Sequence, residues 1–243
     1  MTDLDPSSDA PMFLTLRPLT GADELTIAGA GTASALALLS RLASEVDVAA
    51  MTISQADRAL AELYLMLYGS KAECRATCSS CSESYEFSLN LAQIIADQDA
   101  DRPAPPNAEG IWTLPSGAQV RAPTQTDLSG DPATLAARLT IEGEASELEV
   151  GTFLEAASPV LTIDMAASCP DCGSDAQVRF DLSTYLTRRL VAERPFLVRE
   201  THLIASRYGW SHSEIMALPR DDRRAYAGLI ESERAQLIRR QTA

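Results

Sequence analysis

The sequence predicts an α+β fold: a duplicated α/β unit followed by a C-terminal helical unit. Three observations carry that reading. A weak internal repeat relates the residues before a Pro/Ala/Asp-rich stretch to those after it. Each copy carries one CxxC pair at the same place in its order of elements. Residues 183–243 show helical spacing and caps but no strand alternation.

The chain has 243 residues, with Lys+Arg 20 against Asp+Glu 34 and a formal net charge of −14. That length fits one large or two small domains, and a hydrophobic fraction of 46% with 22% charged residues excludes wholesale disorder. No apolar run reaches the roughly 18–20 residues a bilayer crossing needs. The opening MTDLDPSSDAP lacks the positive and apolar regions of a signal peptide, so a cytoplasmic setting in the producing cell is expected. Lys71 is the only lysine. From Arg188 onward eleven Arg face seven Asp/Glu, about +4, leaving about −18 on the rest. An acidic body argues against non-specific binding to nucleic acid or anionic membranes.

The expected order is as follows. Residues 1–12 read as disordered, 13–96 as the first repeat, 97–110 as a linker, 111–182 as the second repeat, and 183–243 as a helical docking unit. The first copy opens at Leu16–Leu25 and the second at Val120–Ser129, both as apolar-Arg-x-x-Thr-x-x-Asp. Short Ala/Leu-rich segments follow at Thr32–Leu42 and Thr134–Leu139. A helix is predicted over Ser54–Leu67 in the first copy and Leu148–Ala157 in the second. Each leads to a CxxC and then a short strand, where Phe87 and Leu89 are matched to Phe180 and Leu182. In the tail a helical run from Asp181 should break or kink at Pro195 and continue to about Tyr208. Ser211 and Glu214 fit a capping box, with Trp210 and Ile215 as its hydrophobic staple. Pro219 should open a last helix running to about Arg239.

The cysteines carry the only sharp chemistry. Cys78, Cys81, Cys169 and Cys172 form two CxxC pairs flanked by strand-like sequence, the pattern of two knuckles supplying four thiolates to one Zn2+. The long gap between pairs suits a duplicated unit in which each half donates one knuckle to a split zinc ribbon. An odd cysteine count and a cytosolic setting disfavour disulfides, and neither pair sits at the start of a βαβ helix as a redox pair would. Unoccupied knuckles, a redox pair or another metal remain as alternatives. Cys74 aligns with Met165 and reads as a small core residue; its other reading is as a ligand replacing Cys78 or Cys81. Four thiolates leave no open position, and no catalytic motif occurs elsewhere: His202 and His212 read as surface or cap residues. No enzyme activity is expected.

The stretch His202–Tyr226, a helix ending in Tyr-x-Trp-Ser, then Glu-Ile-x-x-Leu, then Arg-Arg-x-Tyr, resembles tail and baseplate assembly proteins of contractile phages and contractile injection systems. Cys169-Pro-Asp-Cys172-Gly173 with Arg179-Phe-Asp-Leu182 resembles the zinc knuckle and Phe-Asp strand of the T4-type baseplate hub assembly chaperone family, and Leu114-Pro-Ser-Gly117 through Asp127 fits it too. Ser183-Thr-Tyr185 departs from the more aromatic continuation of that strand. The resemblance implies a non-catalytic protein that binds baseplate hub or tail components, transiently or as a particle subunit. Tyr208, Trp210, Arg223, Arg224 and Tyr226 are the candidate partner-binding residues; their bland reading is self-packing. A competing reading is a zinc-ribbon nucleic-acid-binding or transcription-related module, against which stand the acidity and the absence of basic residues on the knuckles beyond Arg75. No membrane partner is expected, and the oligomeric state is left open.

Overall fold

The computed structural model describes residues 15–43 and 46–241. In chain order the elements are α1 (Gly21–Thr26), α2 (Thr32–Leu42), α3 (Ile53–Tyr68), β1 (Lys71–Thr77), β2 (Ser84–Asn90) and α4 (Leu91–Ala100). Then come β3 (Ile111–Thr113), β4 (Gln119–Arg121), α5 (Leu135–Leu139), β5 (Thr140–Glu142), α6 (Glu147–Ala157), β6 (Thr162–Ser168) and β7 (Asp175–Asp181). Four helices end the chain: α7 (Leu182–Ala192), α8 (Arg194–Tyr208), α9 (His212–Ala217) and α10 (Arg220–Gln241). Helices mix with three small antiparallel sheets, as an α+β fold requires.

Two compact units result, and they do not follow the linear order expected from sequence. One is built from Asp47–Leu182; the other joins Thr15–Val46 to the chain after Ser183. The expected first repeat, 13–96, is therefore divided between them. The expected linker also needs correction, because Asp97–Ala100 continue α4. The helix runs on from its Asn90 cap, whose side chain accepts from the Gln93 N–H, and the Pro residues begin only at Pro103. The expectation for residues 1–12 lies outside the described residues.

In the first unit α3 starts at a Thr52/Gln55 capping box and buries Ala56, Leu60, Leu63 and Tyr64 at helical spacing. Its first turns also hold the chain that enters β6. The Ser54 hydroxyl donates to the Pro159 carbonyl at 2.7 Å, and Asp57 accepts from the Leu161 N–H at 2.7 Å. A separate core joins the β3–β4–β5 sheet to α5 and α6 through Trp112, Leu114, Val120, Leu139, Val150 and Leu154.

The two hairpins share one geometry. β1 pairs with β2 from Lys71↔Asn90 to Thr77↔Ser84, and β6 with β7 from Thr162↔Asp181 to Ser168↔Asp175. Each is closed at its base by the same bond: Leu91 N–H to Ser70 O, and Leu182 N–H to Leu161 O. By this register Cys74 corresponds to Met165, as expected. Phe87, however, corresponds to Val178 and Leu89 to Phe180, two residues away from the sequence-based match. Strand periodicity of two cannot distinguish those alignments; the hydrogen-bond ladder does.

The Arg-x-x-Thr-x-x-Asp corners also agree bond for bond. Arg17 makes two bonds to Asp23, at 2.6 and 2.7 Å, and Arg121 two to Asp127, at 2.7 and 2.8 Å. In each, the Thr backbone N–H and hydroxyl both reach the same carboxylate oxygen. Burial opposes ionisation of Asp23, but Arg17 and Thr20 outweigh it; Arg121 is the main influence on Asp127. Both carboxyls are held well below the usual range.

In the second unit α7 stops at Ala192 and α8 begins at Arg194, with Pro195 in its first turn. The Ser211/Glu214 capping box forms as expected, and Ile215 and Trp210 belong to one apolar cluster with Leu203, Ile204, Met216 and Ile230. A buried ion cluster ties α1 to this bundle. Arg223 bonds Glu24 at 2.6 Å and Glu200 at 2.8 Å, while Arg220 reaches Glu24 at 3.1 Å and also pairs with Glu193. Gly21 makes room for it: a Cβ there would lie 2.9 Å from the Arg223 guanidinium.

Two predictions follow from these buried charges. Burial pushes Asp57 up to about 6, with Asp181 adding to the rise while the Leu161 N–H and Arg58 oppose it. A raised carboxyl pKa contributes stability that is full below the unfolded value near 3.8 and is lost as pH rises through about 6. Asp57→Asn keeps an acceptor for Leu161, so it should stabilise the fold at pH 7, by on the order of 2–3 kcal/mol, and hardly at all at pH 4. Chemical denaturation at the two pH values measures the difference; an equal gain at both refutes the assignment. Arg223→Ala removes the closest cation from both Glu24 and Glu200, leaving them the longer contacts of Arg220 and Arg224, and should cost about 3–5 kcal/mol, read from the same denaturation curves.

Candidate metal centre

Each CxxC sits in the loop of a two-stranded hairpin, and the two loops fold alike. Cys78 N–H donates to Glu83 O and Ser82 N–H to Cys78 O, both at 2.9 Å. Cys169 N–H donates to Ser174 O and Gly173 N–H to Cys169 O, again at 2.9 Å. The residue after each second cysteine takes the left-handed conformation that closes the turn: Gly173 at φ 72° and Ser82 at φ 63°. Glycine adopts it freely, while Ser82 bears the steric cost of a side chain there.

These turns bring together the four cysteines singled out in the sequence. Cys78 Sγ lies 3.6 Å from Cys172 Sγ, Cys81 Sγ lies 3.7 Å from Cys169 Sγ, and all four sulfurs fall within 4.8 Å of one another. A tetrahedral centre with bonds of about 2.3 Å has sulfur–sulfur edges of about 3.8 Å. The close contacts pair one sulfur from each hairpin, so a bound ion would bridge β1–β2 to β6–β7. Cys78 and Cys169 are buried, Cys81 is half-buried and Cys172 is exposed. Cys74 lies outside the cluster, on β1 opposite Phe87.

The electrostatics fit a cation. The Ser174 hydroxyl stands 3.2 Å from Cys78 Sγ and 3.1 Å from Cys172 Sγ, and the Ser80 N–H points at Cys78 Sγ from 3.4 Å. The Ser174 hydroxyl, then the N–H groups of Cys81 and Ser80, push Cys78 down to about 5. Cys81 is pushed up to about 12: the Glu83 N–H works against burial and the neighbouring sulfurs, which outweigh it. Thiols packed this closely cannot all ionise alone, whereas a divalent ion lets four thiolates form together. Tyr85 lies in the same cluster, 5% exposed, and its buried hydroxyl has no hydrogen-bond partner among the described residues. Burial, then the charges of Cys169 and Cys78, raise its pKa. The cluster could therefore hold a metal ion, with no ligand position left for water or substrate.

Tyr85 and Ser174 were not picked out from the sequence. Ser174 could have been, since it stands two residues past a CxxC, where the turn points it back at sulfur; the position of Tyr85 depends on tertiary packing. Of the residues expected to bind a partner, Tyr208, Trp210 and Tyr226 do come together, with ring centroids 5.2–5.7 Å apart. Tyr208 is 41% exposed and the other two are half-buried. Arg224 is half-exposed and paired with Glu193 at 3.1 Å and Glu200 at 3.5 Å. Arg223 must be withdrawn from a partner surface: it is 1% exposed, because α10 turns it inward onto Glu24 and Glu200. His202 and His212 are both exposed.

Metal removal gives a direct check. The purified chain should carry one ion, and chelation should lower the unfolding temperature and expose four additional reactive thiols. Cys169→Ser should abolish stoichiometric binding and destabilise the first unit strongly, since site free energies of about 10–16 kcal/mol rival a domain's whole stability. Two ions per chain by elemental analysis, or none in a fully folded protein, would exclude a shared site. Compared with models of known families, with curated proteins and with solved structures, the chain finds no match.

Proposed function

We propose that the chain is a non-catalytic, zinc-braced assembly or structural protein that binds hub or baseplate components of a phage tail or contractile injection system. The observation that carries the structural part is the convergence of two hairpins, distant in sequence, on a four-sulfur cluster. A closed thiolate set suits a brace rather than a catalyst, and soft sulfur ligands in tetrahedral array favour zinc in a protein of this composition. The matching hairpin registers and the matching Arg-Thr-Asp corners support descent of both halves from one α/β unit. In this reading the metal is a split zinc ribbon, one knuckle from each copy.

The assignment to a baseplate rests on the resemblance of His202–Tyr226 and of the Cys169–Leu182 knuckle and strand to the T4-type hub assembly chaperone family. Under it, the protein acts in the cytoplasm of the producing bacterium and can remain in the finished particle. The proposed contact surface comprises the partly exposed rings of Tyr208, Trp210 and Tyr226, which pack on one another, together with the half-exposed Arg224; aromatic residues and Arg are the ones that interfaces favour. The nucleic-acid reading gains nothing from the structure. The exposed loop residues Ser79, Ser80, Ser82, Glu83, Asp171 and Asp175 offer phosphates no cation.

The test is affinity capture of the tagged, metal-loaded chain from a tail-producing host, with mass spectrometry of what is retained. Hub or baseplate components should be recovered. Tyr208→Ser with Arg224→Ala should cut their recovery about tenfold or more while helix content and metal content stay unchanged. If no tail component is retained, the baseplate reading fails. If the double variant recovers them at wild-type yield, the aromatic corner is not the contact surface.

A further inference from the structure

A groove of about 710 Å³ lies in the first unit between α5, α6 and the start of β6. Its floor is apolar, with Leu139, Val150 and Leu154 buried beneath it, and Pro123, Leu135 and Ile163 forming its sides. Ser158 also lines it. That residue is 4% exposed, and its hydroxyl has no hydrogen-bond partner among the described residues. A hydroxyl buried at an apolar wall without a partner costs free energy unless something else meets it.

Two further features indicate what does. Among the described residues no Lys or Arg lines the groove, while Glu147, Glu155 and Asp164 do, and all three are exposed. Asp164 has Arg179 within 3.7 Å; Glu147 and Glu155 have no ion pair among the described residues. The rim is therefore net negative. The groove is also bordered by Thr162–Asp164 of β6, which pairs only with β7 among the described residues. The Leu182-to-Leu161 bond sets the phase of that ladder, so the backbone N–H and C=O groups of Thr162 and Asp164 point away from β7. An open strand edge beside an apolar trough is where an extended segment can add as another strand.

We infer that this groove takes an extended segment of a partner protein in which basic and apolar residues alternate. The segment lies along the outer edge of β6. Its apolar side chains enter the trough, its Lys or Arg side chains face Glu147 and Glu155, and one polar group meets the Ser158 hydroxyl. The inference is independent of the baseplate reading: the groove can bind such a segment whether or not the partner is a tail component.

The probe is fluorescein-labelled Lys-Val-Lys-Val-Lys-Val-Lys amide, titrated with the metal-loaded full chain and followed by anisotropy, with the Glu-Val counterpart as control. Saturable binding of the basic peptide alone is expected. Gly151 gives a blocking variant: it lines the groove on α6, and an added Cβ would meet nothing within 4 Å. Gly151→Leu should fill the trough and abolish binding with circular dichroism unchanged. Glu147→Gln with Glu155→Gln should weaken it about three- to tenfold, most clearly at low salt. Hydrogen exchange at Thr162 and Asp164 should slow when peptide is bound. Failure of the basic peptide to bind, equal binding of the acidic one, full binding by Gly151→Leu, or unchanged exchange at those two amides would each overturn the proposal.

Discussion

A two-stranded hairpin buries too little to hold its own shape in water, and the first unit contains two of them. What each one lacks is a second layer. The four-sulfur cluster supplies part of it at the loop ends, where Cys78 and Cys169 are buried with Tyr85. The opposite ends are fixed differently: Leu91 and Leu182 are each 1% exposed or less and close the hairpin bases. Each hairpin is thus clamped at the base by its own backbone and at the tip by the other hairpin's sulfur. The tip clamp is conditional, because four sulfurs at this spacing repel once ionised. Were an ion to bind there, metal binding and the packing of the first unit would be one equilibrium rather than two.

Much of this was legible in the sequence because it depends on local chemistry. The CxxC spacing fixes a turn, the turn fixes two sulfurs, and the flanking alternation fixes strands. The Ser211 cap announces a helix start that the structure reproduces, while Thr52 and Ser146 cap helices that begin one residue before the predicted Ser54 and Leu148. The corner motif was visible as Arg-x-x-Thr-x-x-Asp, although nothing in its spacing says that the arginine returns to the aspartate with two bonds. The failures share a different cause. Phe87 was matched to the wrong residue because period-two patterns look the same after a two-residue slip. Arg223 was read as a surface residue because charged residues usually are, and its two acidic partners lie far away in sequence, at Glu24 and Glu200. The break-up of the first repeat between units has the same origin, since contacts between distant segments decide it.

The two units handle buried charge in contrasting ways. In the second, Arg220 and Arg223 face Glu24, Glu193 and Glu200 directly, so opposite charges are supplied by the protein itself. Such a cluster specifies one arrangement strongly, because removing a member leaves buried charges with fewer counterparts than they were placed to meet. In the first, Asp127 has its own Arg121, but the clustered sulfurs are all of one kind, and charge to compensate their ionised forms would come from outside. Asp57 is an intermediate case: one backbone N–H opposes its desolvation, and its pKa rises because that is not enough.

These arrangements also limit where a partner can bind. The buried arginines are already committed to carboxylates, and a ligand reaching them would have to break pairs that gain more from each other than from any surface contact. The sulfur cluster is closed by its own stoichiometry. Two peripheral places keep unmet capacity: the packed rings of Tyr208, Trp210 and Tyr226, and the groove where, among the described residues, the Ser158 hydroxyl and the outer edge of β6 have no partners. The aromatics already contact one another, one pair stacked and two edge-to-face, so their contribution to binding is added area. The groove differs, because an unpaired hydroxyl and unpaired strand amides are deficits that only an incoming chain or water removes. Of the two surfaces, the groove is the one whose chemistry specifies a ligand.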